Sequence, residues 1–216
     1  MKDKLLIFDM DNTLLQSRID FSRMHQEVGA LLRERGLSRY IQSSVAQSIL
    51  DFTRSPDYDP GLEEAIWARV AEIEAAGLER AALEPGALAA LAELQDFAEL
   101  VVLTNNADAA IGANLMRLGL APYLSLALGR DSVPCLKPAP EGIILIRDQY
   151  PAIPLAATLM IGDAMIDAQA AAAAGIGFIA YNRSREEDWQ SFGIQPLLQL
   201  RQWDEQACAA IRRLMQ

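Results

Sequence analysis

The chain has 216 residues, 51% apolar and 22% charged, with a formal net charge of −10. That length suits one domain, or one domain with a modest insertion, and is enough to bury a proper core. The acidic balance argues against nucleic acid or an anionic membrane as a bulk partner, because both need a positive footprint; a small anionic ligand in a locally positive site remains open.

Met1 to Lys4 leads straight into a strand-like run, with no signal-peptide pattern and no apolar stretch of membrane-spanning length, so a cytoplasmic location is expected. The run "LLIFDM" (5–10) reads as a buried strand and ends in "FDMDNTLL", which puts Asp9 and Asp11 two residues apart at its end. Alternate residues of an extended chain point to one side, so D-x-D directs both side chains to one place.

From about residue 17 to 84 no strand candidate appears. "RIDFSRMHQEVGALLRERG", "SRYIQSSVAQSILDFTR" and "PGLEEAIWARVAEIEAAG" read as three helices, with "SPDYDPG" (55–61) as a turn-rich break. Three helices exceed the usual crossover between consecutive strands. A helical insertion over 17–82 is therefore expected, leaving 1–16 and 83–216 as the other domain. His25, the sole histidine, falls on the first of these helices and reads as an ordinary surface or half-buried side chain. A Ser-His-Asp triad would depend on it alone, and a multi-histidine zinc site is excluded.

Beyond the insertion, strands and helices alternate. Helical patterns cover Pro85 to Leu94, Ala107 to Leu118, Pro140 to Tyr150 and Ala164 to Ala174; strands are expected at "LVVLT" (100–104), "TLMIGD" (158–163) and "GFIAYN" (177–182), with a weaker one at "LSLAL" (124–128). This alternation predicts an α/β fold with a mainly parallel sheet, whose ligands sit beyond the carboxyl ends of the strands. In "AMIDAQAAAAAG" small residues allow close packing on the sheet and Gly175 ends the helix. Cys135 and Cys208 are isolated, and neither a disulfide framework nor a zinc site is expected. No phosphate-loop or dinucleotide fingerprint is present.

Four pieces then converge at the strand ends: Asp9 and Asp11; Thr104 and Asn105 in "VVLTNN"; Lys137 in "CLKPAPEG"; and Asp163 with Asp167 one helical turn on in "IGDAMID". In this order they resemble the haloacid dehalogenase superfamily, with "PGALAALAEL" (85–94) and "KPAPEG" strengthening the likeness. The match is to its phosphoglycolate-phosphatase-like branch, which implies a Rossmann-like core and makes the helical insertion a cap domain.

The residues themselves suit phosphate-ester hydrolysis, which needs an in-line nucleophile, a proton for the leaving oxygen and neutralised charge on the transferred group. Asp9 is the candidate nucleophile, and Asp11 the general acid that later serves as base for the attacking water. Carboxylates facing a phosphate require a hard cation, for which Mg²⁺ is expected with Asp9 and Asp163 as ligands. Lys137 adds fixed positive charge, while Thr104 and the amide of Asn105 are candidates to hold phosphoryl oxygens. The resemblance further implies the backbone carbonyl of Asp11 as a metal ligand and Asp167 as support. It also implies that an aspartate at position 11 favours phosphoryl over carbon–halogen chemistry. Two departures stand out: Asn12 where Gly is commoner, and Ala164 where many relatives carry Ser or Thr.

The expected partner is a small phosphorylated metabolite, phosphoglycolate-like. Alternatives are a sugar phosphomutase using the same aspartyl phosphate, or a non-catalytic binding module that kept the fold. Phosphonate cleavage is disfavoured, since no lysine lies between Lys4 and Lys137. Among the arginines of the insertion, which include those at 18, 23, 33, 35, 39 and 54, Arg18 and Arg23 follow the first catalytic loop most closely and are the candidates for a second anionic group on the substrate.

Overall fold

A computed structural model describes residues 2–181, 189 and 193–216. It divides into two compact units, Met1–Gln16 with Ala82–Gln216, and Ser17–Ala81.

The first unit is built on a parallel six-stranded sheet. Its strands are β1 (Leu5–Phe8), β4 (Glu99–Leu103), β5 (Leu126–Leu128), β6 (Thr158–Gly162), β7 (Gly177–Tyr181) and β8 (Leu198–Leu200). They lie in the order β5-β4-β1-β6-β7-β8, so β1 is flanked by β4 on one side and β6 on the other. The chain builds outward from β1 to β5, then returns to its other side for β6. That reversal is the switch point where the carboxyl ends of an open α/β sheet form a ligand crevice.

Helices α4 (Ala87–Leu94), α5 (Asp108–Arg117), α6 (Glu141–Gln149), α7 (Met165–Ala173) and α8 (Glu205–Leu214) connect or flank these strands. The strands are continuous apolar runs because both faces are covered. Leu5, Ile7, Val101, Leu103 and Met160 join one core cluster with Ile143 and Ile146 of α6 and Ala168, Ala170 and Ala171 of α7. Phe8 and Tyr181 pack on Trp203, with ring centroids 5.9 and 4.9 Å away. The alanines let α7 lie close on β6 and β7, and Gly175 ends it with φ of 71°.

The α/β expectation holds, with differences at the margins. Strand β7 ends at Tyr181; Asn182, expected to extend it, lies outside the described residues. The sequence reading found no strand between 17 and 84, but β3 (Ala82–Leu83) pairs antiparallel with β2 (Leu15–Gln16). Two-residue strands carry no periodicity to detect, and β8, at the sheet edge, has only three residues.

The second unit contains α1 (Phe21–Glu34), α2 (Val45–Thr53) and α3 (Pro60–Leu78). Each start is specified locally. Asp20 accepts from the Arg23 amide, Ser44 from that of Gln47 and Asp59 from that of Gly61, with Pro60 at the first helical position. Met24, Val28 and Leu32 of α1, Ile49 and Phe52 of α2, and Ile66, Val70 and Ile73 of α3 are buried. His25 is half-buried, its Nε2 2.7 Å from the Gln42 carbonyl, which gives it an ordinary structural partner. Among the described residues no helix is long and apolar enough to cross a membrane.

Candidate active site

Strand β1 delivers Asp9 and β4 delivers Thr104, each one residue past the strand but still tied to the sheet. The Asp9 amide donates to the Ile161 carbonyl at 2.8 Å, and that of Thr104 to the Leu128 carbonyl at 3.1 Å. These bonds extend the ladder one step and fix the backbone of both residues. Asp163 follows β6. Register pairs Phe8 with both Val102 and Ile161, so all three strand ends open on the same edge.

After Asp9 the chain turns back sharply. Leu14 and Leu15 amides both donate to the Met10 carbonyl, and Asn12 takes φ of 55°. Asparagine adopts this left-handed conformation more readily than most residues, which is how the turn forms without glycine. The loop is braced from below: the Trp203 indole N–H donates to the Thr13 carbonyl at 2.7 Å, and Thr13 is fully buried.

Lys137 sits at the centre, before α6. Its Nζ donates to Asp9 Oδ1 at 2.7 Å and to Asp167 Oδ1 at 2.6 Å, and the side chains of Lys137, Asp9 and Asp167 are 2%, 9% and 1% exposed. Burial opposes the ammonium charge, but attraction to Asp167 and Asp9 outweighs it and holds the lysine above its usual range. Asp167 is spoken for on both oxygens, since Oδ2 accepts from the Ala164 amide at the start of α7. Gly162 makes this possible, because a Cβ there would lie 2.3 Å from Asp167 Oδ2.

Ligand atoms of Asp9, Asp163 and Asp167 lie within 4.8 Å of one another. Asp163 is pushed upward, first by burial and then by Asp9, Asp167 and Asp11, against a smaller opposing pull from Lys137. Asp167 also rises through burial, with Lys137 opposing. This is a site with more negative charge than its own lysine compensates. A hard divalent cation fits such an all-oxygen donor set.

Asp11 stands apart from that carboxylate triple. Its Oδ2 accepts from Asn106 Nδ2 at 2.5 Å. Thr104 does not cap the following helix: its hydroxyl accepts from the Asn106 amide at 3.3 Å, and α5 begins at Asp108 with Ala107 at the N-cap position and no side-chain cap. Asn105 clamps the lysine loop. Its Nδ2 donates to the Lys137 carbonyl at 2.9 Å, and its Oδ1 accepts from the Lys137 amide at 3.0 Å. The tripeptide "TNN" thus reaches both the Asp11 and Lys137 loops. Sequence reasoning missed Asn106, Gly162 and Trp203, whose roles depend on partners distant in the sequence or on close packing.

Arg18 and Arg23 belong to the helical unit. Arg18 is exposed, just ahead of α1. Arg23 pairs with Glu27 at 2.6 Å and Glu72 at 3.5 Å, in a surface network that Arg69 completes. Arg35 pairs with Asp59, and Arg39 with Asp57.

The family model for haloacid dehalogenase-like hydrolases matches residues 4–175. The chain is 32% identical over 187 residues to a phosphoglycolate phosphatase of Rhodobacter capsulatus, covering 82% of this chain and 83% of that protein. A solved structure of a predicted phosphoglycolate phosphatase from Haemophilus somnus aligns with a TM-score of 0.66 at 18% identity, over 97% of this chain and 99% of the other. A subfamily IA hydrolase of the same superfamily from Geobacter sulfurreducens aligns at 0.60 and 20% identity, over 99% and 96%. At these identities the two structures speak to the fold alone.

Proposed function

Because the chain belongs to the haloacid dehalogenase-like hydrolases, as a phosphatase of their phosphoglycolate-phosphatase-like branch, we propose that it hydrolyses a small phosphorylated metabolite through an aspartyl phosphate on Asp9, with Mg²⁺ bound. The observation that carries this reading is the buried Lys137, held between Asp9 and Asp167 with Asp163 alongside. Burying that much charge is costly, and groups so perturbed gather where chemistry needs them.

An Asp9 carboxylate oxygen attacks phosphorus as the bond to the ester oxygen breaks. Asp11 gives its proton to that leaving oxygen. Asp11 then takes a proton from the water that attacks the aspartyl phosphate, which frees inorganic phosphate and restores Asp9. Lys137 balances charge on Asp9 and on the phosphoryl group. Thr104 and the Asn105 amide hold phosphoryl oxygens through donated hydrogen bonds. Asp9, Asp163 and the Asp11 carbonyl are the proposed metal ligands, with Asp167 in support through its bonds to Lys137 and the Ala164 amide. When bound, Mg²⁺ neutralises negative charge on the carboxylates and on the phosphoryl oxygens.

The helical unit is the proposed cap, and its role is to select a substrate of limited size. Arg18 and Arg23 are its proposed contacts to a second anionic group. A phosphoglycolate-like metabolite, with a carboxylate close to its phosphate, fits that chemistry.

The test is phosphate release from a panel of metabolite phosphates and from p-nitrophenyl phosphate, with Mg²⁺ and with chelator. Release of free phosphate, abolished by chelation, is expected, and it separates hydrolysis from transfer to another hydroxyl. Full activity in chelator would overturn the metal role. Transfer without free phosphate would make the protein a mutase.

A further inference from the structure

Asn106 is buried, 4% exposed, and its backbone is fixed on both sides. Its amide donates to Thr104 Oγ1 at 3.3 Å, and its carbonyl accepts from the Arg130 amide at 2.8 Å. From that frame Nδ2 reaches Asp11 Oδ2, 95 residues away in sequence, at 2.5 Å. A carboxylate offers only lone pairs, so the nitrogen of the asparagine amide is the end that faces it. Asp11 itself lies on the turn after β1, in an isolated bridge with Leu15.

We propose that Asn106 is the positioning residue for Asp11: by donating to Oδ2 it fixes the rotamer of the acid–base carboxylate and leaves Oδ1 as the oxygen that gives and takes the proton. This rests on the acid–base role proposed above. The carboxylate's two oxygens are chemically equivalent until something distinguishes them. A donor locked onto one oxygen keeps it an acceptor, so the proton of the acid form is carried by the other. Positioning of this kind matters because a reacting group displaced by about 1 Å loses on the order of 100-fold in rate. Asn105 holds Lys137 by its backbone in the same way. Adjacent residues therefore set the acid–base group and the cation, while Thr104 faces the transferred group.

The experiment compares wild type, Asn106→Ala, Asn106→Asp, Asp11→Asn and the Asn106→Ala/Asp11→Asn double variant, each with Mg²⁺. Substrates are phosphoglycolate, whose alkoxide leaves only when protonated, and p-nitrophenyl phosphate, whose nitrophenolate leaves unaided. Asn106→Ala should slow phosphoglycolate turnover by about 10- to 100-fold, the worth of one hydrogen bond to a charged group. The first nitrophenol burst should be nearly unchanged, with phosphoenzyme accumulating behind it on rapid quench. Asn106→Asp keeps the shape but replaces donation with repulsion, so it should be at least as impaired while melting as a folded protein. In the Asp11→Asn background, Asn106→Ala should add nothing further.

Equal slowing of the first, alcohol-releasing step on both substrates with no phosphoenzyme accumulating, or full additivity in the double variant, would reduce Asn106 to a structural residue. Faster turnover in Asn106→Ala would mean that the bond holds Asp11 in a resting position. An inactive wild type, or an unimpaired Asp11→Asn, would remove the acid–base reading and this inference with it, a pattern distinct from failure at Asn106 alone.

Discussion

The α/β unit and the helical unit use charge in opposite ways. In the α/β unit, Lys137 meets Asp9 across 128 residues of sequence and both are buried. In the helical unit, Arg23 meets Glu27 one helical turn away, with side chains 45% and 30% exposed. The first arrangement costs desolvation and demands a complete fold to bring its members together. The second needs only a helix and is held in water, where such pairs contribute little. Charge that a protein removes from water and assembles from distant segments marks chemistry, whereas charge paired locally on a surface marks solvation.

The most severe way to probe that contrast is Asp9→Asn, which keeps the shape and removes the proposed nucleophile. Turnover should fall roughly 1,000-fold or more while the protein stays folded, as read by phosphate release and a thermal melt. Near-wild-type release from clean protein would exclude Asp9.

Lys137→Met comes next and acts on stability as well as rate. It strands Asp9 and Asp167 as buried neighbours without their cation, and breaking such a pair costs about 3–5 kcal/mol. The melt should drop by many degrees, and Mg²⁺ should restore part of the loss. A melt equal to the parent's would put the buried pair on the same footing as the surface pairs.

The pH dependence of metal binding is a subtler probe. Burial and neighbouring aspartates raise Asp163 from an ordinary value of 3.8 to about 9 in the metal-free protein. Its folded value therefore exceeds its unfolded one. The associated stability is complete below the unfolded value and is lost as pH rises through the folded one, leaving the metal-free protein weaker at pH 8 than at pH 6. A cation competes with that proton, so apparent Mg²⁺ affinity should tighten by up to about tenfold per pH unit for one displaced proton. The rise in melting temperature on adding Mg²⁺ should be larger at pH 8 than at pH 6. A pH-independent rise would count against Asp163 as a ligand.

The smallest effects belong to the helical unit. Arg23→Ala should leave the melt where it was, because its pairs with Glu27 and Glu72 are exposed. Arg18→Ala or Arg23→Ala should raise KM for phosphoglycolate more than for p-nitrophenyl phosphate. Equal changes on both substrates would leave these arginines as solvated surface.

What could be read in the sequence follows the same division. Leu5–Phe8 and Thr158–Gly162 announce themselves, because strands buried on both faces need unbroken apolar runs. The convergence of Asp9, Lys137, Asp163 and Asp167 was readable because Asp9 and Asp163 follow strands, Asp167 stands in the first turn of α7 and Lys137 lies in the loop ahead of α6. Ala82–Leu83 and Leu198–Leu200 were invisible, since two or three residues show no period. Asn106 was invisible for another reason: its meaning lies in Asp11, and nothing local to "TNN" points there.

The brace under the turn that follows β1 has a consequence in time. The loop around Thr13 is made before the indole that supports it, which belongs to Trp203, 190 residues later. At about 5–20 residues per second, the two are synthesised roughly 10–40 s apart. Throughout that interval the growing chain carries Asp9 and Asp11 on an unbraced turn. The loop gains its support only once Trp203 has been added, so order around Asp9 and Asp11 waits on a residue far downstream.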